Sequence, residues 1–351
     1  MNYQIITQND DCPQTHINVK TITKFLKTKG IDIVEASANK LVINCMLFDV
    51  SEHSLLSYLS TFFPKENLMV YGCIDPIFKK DWKDKVGAIL SENDLDFEIS
   101  SKIKYTLFEN PIAIKINTGC NKGRCSFCRL AGQKNTSYPV EQILNEFKKY
   151  SLDNIFVLFS NDCGSYEPDL LDLVNQILTK YPDIKLAINT CNAEYFLSHK
   201  EEFKTFLTSG KIVSTGTSMQ SGSREILKDM NRPDYIDEMK ETLKDIKKDL
   251  PKTSFIYSEF MFGYPGETEE DLRQSLELAE YFTHVVWYRY FQIKHTLSAC
   301  KYPRIKKGTD YSKIITKFAR EKQIKICTIE SRLSVLHNQN YSNMYQWMIK
   351  K

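Results

Sequence analysis

The chain opens with short apolar runs separated by amphipathic stretches. IIT (5–7), LVINCMLF (41–48) and NLMVYGC (67–73) read as strands. VKTITKFLKTKG (19–30) places Ile22, Phe25 and Leu26 at helical spacing and stops at Gly30. SEHSLLSYLSTFF (51–63) starts on a Ser and a Glu and takes the same period. Strands alternating with helices predict βαβ units and a parallel sheet. A connecting segment at 101–110 leads into a second series. Its predicted strands are 111–117, 154–160, 184–189, 211–219, 254–263 and 285–294. Its predicted helices are 140–150, 169–181, 224–230, 235–249 and 269–282. About six strand–helix repeats fit a full or partial parallel barrel. After 300 only a helix (310–322) and a strand (324–329) can be placed.

With 351 residues, 42% hydrophobic and 26% charged, the chain can bury a core without staples, and disorder or a disulfide miniprotein is excluded. No apolar run approaches the roughly 20 residues of a membrane span. The first residues, MNYQIITQNDDCPQ, lack a basic region followed by an apolar stretch. The expectation is therefore no signal peptide, a cytoplasmic location and no membrane partner. In a reducing compartment clustered cysteines point to metal ligation or catalysis rather than disulfides. The net charge of +3 does not mark a general nucleic-acid binder. Yet residues 301–351 hold twelve Lys or Arg against three acids. Such a tail fits an anionic partner, and a solvated basic surface fits equally well.

Cys120-Asn-Lys-Gly-Arg-Cys125-Ser-Phe-Cys128 directly follows a predicted strand. Three thiolates at this spacing can ligate three irons of a cubic iron–sulfur cluster, leaving the fourth iron for a small chelating ligand. Gly123 permits the tight loop. A zinc knuckle would need a fourth Cys or His, and none lies nearby. Cys12, Cys45 and Cys73 follow or end predicted strands of the first series. Strand ends of one parallel sheet converge on one edge, so the three can meet. On spacing alone, ordinary buried cysteines account for them equally well.

A three-cysteine loop after the first strand of a parallel barrel, with Phe127 between the last two cysteines, resembles the radical S-adenosylmethionine (SAM) enzymes. The spacing differs: four residues separate Cys120 from Cys125, where the family usually has three. VLFSNDCGSY (157–166), SMQSGSREILKDMNR (218–232) and FMFGYPGETEEDL (260–272) are similar to segments of the methylthiotransferase branch, with Tyr264 in place of Phe. Asn44-Cys45 and Gly72-Cys73 resemble two cysteine sites of that branch's N-terminal domain. Cys12 matches a third by its distance to the helix.

The resemblance implies an α/β architecture: an N-terminal Rossmann/flavodoxin-like parallel-sheet domain (1–100) followed by a radical SAM partial (β/α)6 TIM barrel (105–300). A short basic extension (301–351) shows no five-strand pattern of the usual terminal TRAM β-barrel. It implies two [4Fe-4S] clusters, one on Cys120, Cys125 and Cys128 and an auxiliary one on Cys12, Cys45 and Cys73. SAM would be bound by Phe127, Ser160, Asn161, Asp162, Ser218, Gln220, Arg232 and Gly263. The implied chemistry is reductive cleavage of SAM to a 5′-deoxyadenosyl radical, hydrogen abstraction from an unactivated carbon, and sulfur or methylthio transfer from the auxiliary cluster. No acid–base residue is called for. The expected partners are a flavodoxin- or ferredoxin-type electron donor and a peptide or small-molecule substrate. A tRNA base, contacted through the basic tail, is the alternative, as is another sulfur insertion or an oxidation. A non-enzymatic metal-binding protein is the last reading.

Overall fold

The computed structural model describes residues 2–7, 12–44, 55–74, 76–90, 95, 97–103, 108, 111–131, 134–305, 307–322 and 325–326. Two compact units divide the described chain, one running to Ala113 and one starting at Ile114.

The first unit contains β1 (Asn2–Thr7), α1 (Pro13–Thr28), β2 (Asp32–Ile33), β3 (Lys40–Asn44), α2 (Leu55–Phe62), β4 (Leu68–Gly72), α3 (Pro76–Trp82) and β5 (Ala88–Ile89). The strands are all parallel in the order β2-β1-β3-β4-β5. This is the flavodoxin-like order, whose switch point lies between β1 and β3. The run LVIN is buried on both faces because helices cover both. Val42 and Val70 pack with Leu55, Leu59, Phe78 and Trp82. Leu41, Ile43 and Tyr71 pack with Ile22 and Leu26 on the other side. A two-sided core explains why the strand reads as continuous apolar residues rather than an alternation. Helix α1 starts six residues earlier than the apolar period predicts. Pro13 occupies its first turn, where a missing N–H costs nothing, and Cys12 is the N-cap. The strands β2 and β5, two residues each, and α3 had no signal in the pattern.

The second unit follows the predicted alternation. Its strands are β6 (Ile112–Lys115, in which the unit boundary falls), β7 (Ile155–Phe159), β8 (Lys185–Cys191), β9 (Ile212–Gln220), β10 (Phe255–Phe262), β11 (His284–Arg289) and β12 (Lys325–Ile326). They lie side by side in sequence order, and the pairs from β7 to β12 are parallel. Between them run α4 (Val140–Phe147) and α5 (Leu170–Lys180). Two helices that the pattern does not predict, α6 (Ala193–Ser198) and α7 (Lys200–Thr208), join β8 to β9. Then come α8 (Arg224–Asp229), α9 (Ile236–Asp249) and α10 (Glu269–Ala279). Sequential parallel strands with helices between them form the open barrel that the alternation predicts. The segment after 300 supplies the helix Ser312–Lys322 and the strand β12, which extends the same sheet beyond β11. No helix among the described residues is long and apolar enough to cross a membrane.

Candidate functional site

The C-terminal ends of parallel strands are where such sheets build sites, because the loops there converge. In the second unit the loop after β6 carries Cys120, Cys125 and Cys128. Its stem is closed by an antiparallel pairing of Asn117 with Ser137 and Thr118 with Thr136. Gly119 and Gly123 take positive φ angles of 81° and 47°, which a side chain would resist. A Cβ at Gly119 would lie 2.5 Å from the Lys134 carbonyl oxygen.

The loop is fastened on two sides. On one side the Ser126 N–H donates to the Met230 carbonyl at 2.9 Å, and its hydroxyl donates to the Asp229 carbonyl at 3.0 Å. Ser126 Oγ also lies 3.0 Å from the Tyr264 hydroxyl. Helix α8, whose C-terminal end presents these carbonyls, is capped by Ser223. Ser223 Oγ in turn donates to Asp271 at 2.6 Å, in the first turn of α10. The cysteine loop and the segments 218–232 and 260–272 are thereby one hydrogen-bonded block. On the other side, Asn121 N–H donates to Ser165 Oγ at 3.0 Å and Gly119 N–H to Asn161 Oδ1 at 3.2 Å.

A cavity of ≈ 190 Å³ opens against this loop. Of the predicted residues, Cys120, Cys125, Cys128, Phe127, Asn161, Asp162, Ser218, Gln220 and Arg232 all line it. Ser160 and Gly263 are not among its lining residues. Ser160 is 2% exposed and its Oγ accepts the Asp162 N–H at 3.2 Å. Gly263 is buried with φ 69°, and a Cβ there would meet Thr309 O at 2.4 Å. Its role is a close backbone approach to the 308–309 segment. Cys163 sits next to Asp162 but is fully buried and donates to the Leu158 carbonyl; Cys191, unmarked by any motif, lines the cavity instead.

Sequence pattern alone did not single out Glu259, Thr190 or Asn192. Glu259 was legible as a charge inside an apolar strand, FIYSEFMF. It is half-buried at the cavity wall and accepts from Ser218 Oγ at 2.7 Å; Thr190 Oγ1 lies 3.1 Å from the same hydroxyl. Burial pushes the Glu259 carboxyl up, opposed by the Ser218 hydrogen bond and the Arg232 charge. Asn192 caps α6, a signal available in Cys-Asn-Ala-Glu.

The sulfur environment suits an iron–sulfur cluster. Leu130 N–H donates to Cys128 Sγ at 3.3 Å, and Arg232 Nη1 donates to Cys125 Sγ at 3.2 Å. Burial pushes the Cys128 thiol up to about 11, and burial with the Asp162 charge raises Cys120. Metal ligation, which removes the proton, answers that cost. Among the described residues, no three Cys, His, Asp or Glu groups converge tightly enough to hold a single ion. A cubane does not ask for that, since each thiolate takes a different iron.

In the first unit Asn44 and Gly72 face each other across β3 and β4. Asn44 Nδ2 donates to the Cys73 carbonyl at 2.8 Å, and Cys73 N–H donates to the Asn44 carbonyl at 3.3 Å. Asn44 Oδ1 is buried and takes no hydrogen bond among the described residues. Gly72, at φ 124°, would place a Cβ 2.8 Å from Asn44 O. Cys73 is thus locked to the end of β3, beside the switch point, while Cys12 caps α1 after β1. Cys45 lies outside the described residues.

Residues 114–279 match the radical SAM superfamily family model. Over that segment the chain is similar to the radical SAM superfamily, and over most of its length it is methylthiotransferase-like in sequence. It is 24% identical over 97% of its length to a probable threonylcarbamoyladenosine tRNA methylthiotransferase of Methanocaldococcus jannaschii, covering 86% of that protein. A threonylcarbamoyladenosine tRNA methylthiotransferase of Xenopus laevis is 28% identical over 49% of this chain, and the match spans 33% of that relative. The ribosomal protein uS12 methylthiotransferase RimO of a Thermotoga species is 25% identical over 77% of this chain and 71% of its own. Among solved structures, the cobalamin-dependent S-adenosylmethionine radical enzyme OxsB superposes with a TM-score of 0.52. It is 10% identical, covering 92% of this chain and 62% of that one, a likeness of fold alone.

Proposed function

We propose that the chain is a methylthiotransferase-type enzyme that forms a C–S bond at an unactivated carbon. The observation that carries this reading is the shared cavity into which the three loop cysteines, Arg232, Gln220 and Glu259 all open. Cys120, Cys125 and Cys128 would hold a [4Fe-4S] cluster, which supplies the electron for reductive cleavage of SAM. The chain's part is positioning and charge placement. Arg232 is held by its Nη2 donation to the Ser218 carbonyl and its Nη1 contact with Cys125. In that position it offers a fixed cation beside the site of a carboxylate. Gln220, whose φ of 70° turns the end of β9, and Asn161 and Glu259 offer donors and acceptors to amino and hydroxyl groups. Phe127 packs its ring with the Ile226, Met230, Tyr264 and Tyr290 cluster and keeps that flank of the loop dry.

Cys12, Cys45 and Cys73 are proposed to hold a second cluster that carries the sulfur to be transferred. The Asn44–Cys73 lock and the flavodoxin-like switch point support that assignment. The proposed acceptor is a peptide side chain or a small molecule. The alignment over 97% of the chain with a tRNA-directed relative favours a tRNA base as the second reading. A flavodoxin- or ferredoxin-type protein is the proposed electron donor.

Anaerobic reconstitution with iron and sulfide tests the proposal. Two clusters give about eight irons per chain, and reduction in the presence of SAM yields 5′-deoxyadenosine. Methylthiolated product gains the mass of a methyl and a sulfur. A reconstituted chain that holds iron but never consumes SAM would refute the reading. Incubation with tRNA and with peptide substrates separates the two acceptors by which one gains that mass.

A further inference from the structure

The cavity wall contains a carboxylate in an unusual place. Asp162, 5% exposed, sits with Oδ2 at 3.5 Å from Cys120 Sγ. Its other neighbours are all donors. Oδ1 accepts from the Gly164 N–H at 3.2 Å and the Asn192 N–H at 2.9 Å. Oδ2 accepts from Asn192 Nδ2 at 2.9 Å and lies 2.6 Å from Ser165 Oγ. A carboxylate ringed by donors on both oxygens is held in place. Its donors come from the loop after β7 and from the N-cap of α6, so its position is fixed by the barrel rather than by the cysteine loop.

Resting on the proposal that Cys120, Cys125 and Cys128 carry a cluster, we infer that Asp162 is a positioning residue that sets the cluster's reduction potential. When Cys120 loses its proton to solvent and its sulfur takes an iron, the carboxylate loses that donor but keeps the others. A fixed negative charge then stands against one ligand sulfur. On the opposite flank Arg232, a fixed positive charge, donates to Cys125 Sγ. Adding one electron from an external one-electron donor takes the cluster from the 2+ to the 1+ level, with no bond made or broken. Potentials of such clusters respond to net charge, to hydrogen bonds on sulfur and to burial. The added charge is repelled by Asp162 and attracted by Arg232. Asp162 therefore makes the cluster harder to reduce and, once reduced, a stronger electron source for cleaving SAM.

The test is a redox titration of the anaerobically reconstituted full chain, followed by electron paramagnetic resonance. The cluster on the loop is identified as the signal that changes when SAM is added. Asp162→Asn keeps the shape and the acceptor on Oδ1 but removes the charge. The midpoint is expected to rise by about 59 mV, a tenfold shift in a one-electron equilibrium. Ser165→Ala is the second variant, for the case that Asp162→Asn assembles poorly. It strips a hydroxyl donor from the carboxylate and a hydrogen bond from Cys120 itself, and both losses should lower the midpoint. A purely structural Asp162 would reduce iron content in its variant without moving the midpoint of the clusters that remain. An unmoved midpoint in Asp162→Asn, or a rise in Ser165→Ala, overturns the inference. If the wild-type chain shows no SAM-responsive signal, the reading of the loop itself fails and the inference falls with it.

Discussion

Replacing Gly222 with Ala isolates the contact that joins two of the segments around the site. Gly222 lies in the turn between β9 and α8. Its N–H donates to Ser275 Oγ at 2.8 Å, inside α10. An added Cβ would stand 2.3 Å from the Gln274 carbonyl oxygen and 2.6 Å from the Ser275 Cα. Both are backbone atoms of a helix, so no side-chain rotation relieves the overlap. Overpacking of this kind costs about 1–3 kcal/mol, and the upper part of that range applies where only backbone can move. For a domain of this size that is a loss of roughly 4–12 °C in melting temperature. The movement would be passed to Gln220 and Arg232 through the α8 carbonyls that hold the cysteine loop, so SAM affinity of the reconstituted protein should fall about tenfold, or 1.4 kcal/mol. Gly210→Ala is the control. Gly210 has φ 72°, but a Cβ added there would meet nothing within 4 Å. The substitution should cost about 1 kcal/mol from backbone strain alone, melt roughly 2–4 °C lower, and bind SAM normally. The assays are thermal unfolding and equilibrium binding of SAM. A Gly222→Ala protein that melts within about 2 °C of wild type, or that binds SAM as tightly, would falsify the claim that this contact holds the site together.

Further outcomes follow from the same geometry. Cys125→Ala should lose SAM-dependent 5′-deoxyadenosine formation and about half of the reconstituted iron; retention of either activity or full iron removes Cys125 from the ligand set. Cys73→Ala should keep SAM cleavage while losing sulfur transfer, and product mass spectra separate the two. Burial pushes the Glu267 carboxyl from 4.5 up to about 8, with Asp271 adding to the rise and the Gly263 N–H opposing it. Below 4.5 both folded and unfolded states are protonated. As pH climbs toward 8 the unfolded chain ionises first, so this group makes stability fall through that window by up to about 1.4 kcal/mol per pH unit. Glu267→Gln should flatten that slope in urea titrations between about pH 5 and 8, and an unchanged slope counts against the assignment. Tyr264→Phe removes the hydroxyl that meets Ser126 and should lower stability by about 1 kcal/mol, read by chemical denaturation.

Local pattern carried most of the architecture. The alternation of apolar runs and amphipathic stretches is the direct consequence of burying a parallel sheet between helices, and it located the long strands from β6 to β11. It failed where an element is held by its neighbours. The strands β2 and β5 have two residues each, too few to show a period; they exist because β1 and β4 offer open edges. Helix α7 is a charged stretch, KEEFKTFLT, whose buried positions are only Phe203 and Leu207, and α6 before it has just six residues. The early start of α1 depends on Pro13 and a Cys N-cap, a cap with no side-chain hydrogen bond and so no usual signature.

For the site, the chain by itself determined which residue types are available: three thiols on a loop after a strand, and the glycine-bearing turns that follow later strands. Spacing is enough for this, because a loop of nine residues must keep its cysteines together. The tertiary structure alone decided what each polar residue faces. Asp162 and Ser160 are two residues apart, yet one lines the cavity while the other's hydroxyl holds its backbone. Glu259 enters the site only because β9 and β10 align Ser218 with it, and Arg232 only because the turn after α8 brings it back toward Cys125. Hydrogen bonds between residues tens of positions apart have no trace in local sequence, since they depend on strand register and loop path, which the whole fold sets.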